Sequence, residues 1–183
     1  MGSRFMTAVQ QQMRPLCWLG ARAKHGMALP DASPTAAQMY CPRGVYLDDD
    51  VLVVSDSGNH RLLVWVLEDG RLPSDHSDAD FVIGQPDFFS EGPGELHLPT
   101  GVTVADGLLI VGDSWHHRIL GYADFMTGSA HPELLLGQSS LADGSINRGQ
   151  SDPDASTLYW PYGLGFVGGR LYVADTGNRR TVI

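Results

Sequence analysis

Three side chains with chemical potential stand together in one short segment: Trp115, His116 and His117. An indole beside two imidazoles could grip a partner protein, stack a small ligand or contribute metal ligands. His60, His97 and His25 are the further candidates for a binding surface. No second His or Cys lies at a spacing that forces metal coordination, and Cys17 and Cys41 make no disulfide framework. The sequence also lacks Gly-x-Ser-x-Gly, a phosphate-binding loop and His-Glu-x-x-His. The expectation is a site with no catalytic residue and no cofactor, with a channel-bound metal ion as the alternative.

The elements that position these residues follow from a repeat. Pro42-Arg43-Gly44-Val45, Pro99-Thr100-Gly101-Val102 and Pro161-Tyr162-Gly163-Leu164 open three copies of one block, spaced by 57 and then 62 residues. In each copy an Asp follows the Gly by 12 residues and an Arg follows that Asp by five: Asp56/Arg61, Asp113/Arg118 and Asp175/Arg180. Recurrence at one register marks the Asp–Arg turns as structural. Trp115 and His116 stand where the first and third copies carry Gly-Asn. A departure from the local rule singles that turn out as functional.

Between these landmarks the pattern is that of strands. Val51–Val54, Leu108–Val111 and Leu171–Ala174 are short apolar runs bounded by turn residues. Gly-Asn in the following turn suggests a positive φ there. A third strand reads at Leu62–Trp65 and Ile119–Tyr122, and a fourth ends in a glycine at Phe81–Gly84 and Leu134–Gly137. Each unit is therefore four antiparallel strands, which repeated about an axis give an all-β propeller.

Pro-x-Gly-Val, a β run and then Asp-Ser-Gly-Asn-His-Arg at 56–61 resemble the NHL repeat family, as does Asp-Thr-Gly-Asn-Arg-Arg at 175–180. The resemblance implies a propeller, usually of six blades, and says little about ligand. It also implies two alternatives to a non-catalytic scaffold for a partner protein or small ligand. One is a lyase- or hydrolase-type enzyme with a metal or ligand site at the channel mouth, where His60 or His117 from two chains could share an ion. The other is RNA binding through a basic face.

Pro15–Gly20 reads like the last strand of a blade, and the blades begin at 42, 99 and 161, so residues 15–183 supply three blades after a flexible tail at 1–14. A ring of three is geometrically implausible. Two copies head to tail close six blades as a homodimer, the first strand of each completing the last blade of the other. The alternative is a fragment of a longer propeller. The linkers 21–41, 85–98 and 138–160 share one rim with the Asp–Arg turns, and binding is expected on that face.

The charge narrows the partners. With 12 Lys and Arg against 21 Asp and Glu, and a net charge of -9, neither nucleic acid nor an anionic membrane is an expected partner. Hydrophobic runs fall short of the ~20 residues of a membrane span, and Met1–Leu16 has no signal-peptide core. Cytoplasmic location is the expectation.

Overall fold

The computed structural model describes residues 15–21, 33–128 and 130–183. Residues 1–14, expected as a flexible tail, and the candidate His25 lie outside the described residues. The chain is all-β and forms three antiparallel sheets, called blades 1 to 3 below. Blade 1 orders β1 (Gly44–Leu47), β2 (Val51–Asp56), β3 (Arg61–Val66) and β4 (Phe81–Ile83). Blade 2 repeats the order with β5 (Pro99–Ala105), β6 (Leu108–Asp113), β7 (Arg118–Ala123) and β8 (His131–Leu136). Blade 3 has three strands, β9 (Pro161–Val167), β10 (Arg170–Asp175) and β11 (Arg180–Val182).

Alternation of apolar residues along the strands sends successive side chains to opposite faces. One face of blade 1 (Val51, Val53, Leu62, Val64, Ile83) packs on Leu96, Val102, Leu109, Val111 and Leu120 of blade 2 and its linker. The other face of blade 2 (Ala105, Ile110, Ile119) packs on Val173, with Leu164, Phe166 and Leu171 around it. Burial between blades, at about 25 cal/mol per Å² of apolar surface, is thus the main stabilisation of the array.

Gly44 is a glycine because the next blade comes too close for anything else. A Cβ there would lie 2.0 Å from the Thr100 carbonyl oxygen, and one on Gly101 would lie 2.4 Å from that of Tyr162. The first strands of successive blades therefore run against each other at the inner edge.

Three sequence expectations need correction. The tight turns after β2, β6 and β10 are short 3-10 turns, and their positive φ falls on His60 (55°), His117 (54°) and Arg179 (57°), not on Gly-Asn. Gly58 and Gly177 serve another need: a Cβ on either would meet the ring of Tyr40 or Tyr159 at 2.3–2.4 Å. Pro15–Gly20 is not a strand. It nevertheless occupies the fourth-strand position in front of blade 1: Gly20 has φ 94°, as Gly84 has 90° and Gly137 94°. Gly20 faces Met39 as Gly84 faces Leu96 and Gly137 faces Leu158. Among the described residues no third strand runs beside it, so no ladder forms. Finally, Cys41 aligns with Leu98 and Trp160, which suggests a small buried thiol beside the core, yet it is exposed.

Candidate functional site

The rim is built around three buried carboxylates. Asp56, Asp113 and Asp175 are fully buried at the ends of β2, β6 and β10. Each pairs across the ladder with its Arg, at 2.7–2.8 Å from Nε to Oδ2. The other Oδ accepts the amide of a linker residue: Tyr40, His97 or Tyr159. The guanidinium donates onward to linker carbonyls. Arg61 reaches Thr35, Gln38 and Phe88; Arg118 reaches Glu95 and Leu141; Arg180 reaches Asp154 and Thr157. Turns and linkers share one face because these bonds tie them together, and every nitrogen of the buried Arg61 guanidinium has an acceptor. The Gly-Gln exits act likewise: Gln85 donates to the Asn59 and Gly92 carbonyls, and Gln138 to those of His116 and Ser145.

Blade 2 departs from this plan at three coupled positions. In blades 1 and 3 a tyrosine ring (Tyr40, Tyr159) lies over the turn glycine, and Asn59 or Asn178 donates to the buried carboxylate. In blade 2 the glycine is Trp115, the tyrosine is His97 and the asparagine is His116. A Trp cannot sit under a tyrosine ring, so the two changes go together. His116 Nδ1 stands 2.8 Å from Asp113 Oδ2, where the asparagine amide stands in the other blades. That role places a proton on Nδ1. Arg118 Nη2, 3.3 Å from the same nitrogen, donates instead to Glu95 O at 2.8 Å. The Nε2 of His116 makes no hydrogen bond among the described residues.

His60 and His117 are set in the opposite sense. Their left-handed backbone turns the imidazole toward the next blade, where Nδ1 accepts the amide of Leu98 or Trp160 at 3.1–3.2 Å. Their protons therefore sit on Nε2. Burial pushes the titration of His60, His97 and His117 below the ordinary imidazole value. Asp56, Asp113 and Asp175, close enough to oppose this for one or more of them, are outweighed. These three rings are neutral at pH 7.

The rings make one continuous array. His97 contacts His60 at 4.8 Å and both Trp115 and His116 at 5.4 Å between centroids. Trp115 contacts Trp160 at 5.7 Å, Trp160 contacts Tyr159, and Tyr159 closes on His117 at 5.3 Å. Beside the array opens a cleft of ≈ 820 Å³, bounded by His97, Trp115, His116, Trp160 and the segment Gly144–Gln150. Trp115 is 47% exposed at its mouth. Among the described residues, no three His, Cys, Asp or Glu are grouped closely enough to hold a metal ion. A metal shared by His60 or His117 would need their Nε2 deprotonated, or Nδ1 taken from the backbone amide it serves.

The structure thus brings together Trp115, His116, His117, His60 and His97. Sequence reading missed Tyr159 and Trp160. The available signal was the constant separation of 18 residues between Tyr40 and Gly58, His97 and Trp115, and Tyr159 and Gly177.

Residues 39–65 and 96–122 match the NHL repeat family. Two segments of the chain, one in blade 1 and one in blade 2, are thus similar to the NHL repeat. Each matched segment runs from the linker residue before the first strand into the third strand. The matched segment of blade 2 includes all three departures, His97, Trp115 and His116. No curated protein matches the chain.

Proposed function

We propose that this NHL-repeat chain is a non-catalytic binding scaffold whose ligand seats on the rim at Trp115. The observation that carries the reading is the coupled replacement of Tyr, Gly and Asn by His97, Trp115 and His116 in blade 2 alone. The fold does not require it, since blades 1 and 3 make the same turn without it. It leaves an exposed indole beside a cleft. Aromatic side chains exposed at a rigid rim are the usual anchors of recognition. Thermal and urea unfolding of the triple reversion His97→Tyr/Trp115→Gly/His116→Asn test this. The expected result is unchanged or raised stability, because function and not packing maintains the departures. A loss above about 2 kcal/mol would make them a packing adaptation and overturn the reading.

A second reading concerns the assembly: two copies close a six-bladed ring. Gly163 holds the place of Gly44 and Gly101, yet within the chain its nearest contact is the Ala174 Cβ at 3.4 Å. The Arg43 carbonyl of a second copy is the group that register would bring there. The hydroxyls of Ser57 and Ser114 donate to the Pro99 and Pro161 carbonyls of the next blade, whereas Thr176 turns back to Ala174. Val45 is 68% exposed where its counterpart Val102 is 7% exposed, and Leu47 on the same strand is 52% exposed. Val167 and Ile183, 66% and 71% exposed, supply apolar surface at the other end. β11 offers the unpaired edge that Pro15–Gly20 of a second copy would join.

A further inference from the structure

Resting on the binding reading above, we infer that the Trp115 cleft takes a neutral saccharide, one or two pyranose units long. The first reason is charge. Trp115, Trp160, Tyr159, His116, His117 and Ser145 line the cleft, and no Asp, Glu, Lys or Arg is among the residues that do. Asp113 and Arg118, beside His116, are paired with each other and buried, with side chains 0% and 3% exposed. Arg148 is turned to the carbonyls of Gly137 and Gln138 and to Ser156. Among the lining residues a phosphate or carboxylate would meet no Lys or Arg, and an ammonium no Asp or Glu, so both would be desolvated with little return.

The second reason is the arrangement of polar atoms. His117 carries a donor at Nε2, because its Nδ1 accepts from Trp160, and His116, whose Nδ1 is taken by Asp113, keeps Nε2 for a ligand. A hydroxyl is both donor and acceptor and meets either nitrogen. A row of hydroxyls on a ring meets both. The third reason is shape. Trp115 and Trp160 lie 5.7 Å apart with planes tilted by 34°, presenting indole surface to an open cleft of ≈ 820 Å³. That volume falls within the range of small-molecule sites. The C–H face of a pyranose suits an indole, while its equatorial hydroxyls reach the polar groups around it. An apolar peptide anchor would instead leave the imidazole nitrogens and the Ser145 hydroxyl unpaired.

The test is ligand-observed saturation-transfer NMR on the full chain, with maltose, cellobiose and lactose as probes. Glucuronate, glucosamine and an uncharged proline-containing peptide serve as comparisons. The inference predicts transfer to the C–H protons of at least one neutral disaccharide. It also predicts affinity roughly tenfold or more weaker in both Trp115→Ala and the triple reversion. Absence of saccharide transfer at millimolar concentration overturns it, as does transfer unchanged in the two variants. Tighter binding of the peptide or the charged sugars overturns the saccharide assignment and leaves the binding rim standing. The unfolding comparison of the triple reversion decides the rim separately.

Discussion

At the scale of single residues, the rim depends on buried groups that have partners on every side. Asp56 accepts from Arg61, Asn59 and the Tyr40 amide while fully buried. Asp56→Ala strands the Arg61 guanidinium in the interior and is expected to cost about 3–5 kcal/mol, measured by urea unfolding. Trp115→Ala touches no such network and is expected within about 1 kcal/mol of wild type in the same experiment. The histidines add a dependence on pH. Their folded pKa values lie below the unfolded value, so below about pH 6.5 the unfolded chain takes up protons that the folded one refuses. Stability is therefore full above that pH and falls as pH drops below it. His117→Asn should flatten the fall in unfolding titrations, since burial lowers this imidazole.

Elements are the scale at which sequence reading did best, and its failures there are instructive. Strand runs such as Val51–Val54 and the Asp–Arg register are visible because apolar alternation and fixed spacing are local properties. The shared face of turns and linkers follows from strand direction, and the Arg61 and Arg118 bonds bear it out. Tyr159 and Trp160 stayed hidden because they sit in linkers of unequal length, where Cys41 and Leu98 hold the place of Trp160 without sharing its chemistry. The positive φ of His60 and Arg179 was also hidden. A glycine nearby drew the expectation, although a tyrosine ring is what requires that glycine. The inter-blade glycines make a prediction at this scale. Gly101→Ala drives a Cβ into the Tyr162 carbonyl and should lower the melting temperature of the chain. Gly163→Ala meets nothing closer than 3.4 Å within the chain, so it should keep the fold and weaken only association.

At the scale of the molecule, the chain is a run of junctions made from the same parts. Blade 1 to blade 2 and blade 2 to blade 3 each use an inner glycine, a turn hydroxyl and a histidine that accepts the next amide. Blade 3 carries the glycine and hydroxyl forward but replaces the histidine by Arg179, which can only donate. A third junction built from this set lacks one hydrogen bond, so Arg179→His should tighten association. Light scattering across a concentration series tests the proposed ring most directly. The account predicts a mass near twice the 19.8 kDa of one chain, held on dilution and reduced toward one chain in Gly163→Ala. A wild-type chain that stays at 19.8 kDa at every concentration would contradict it.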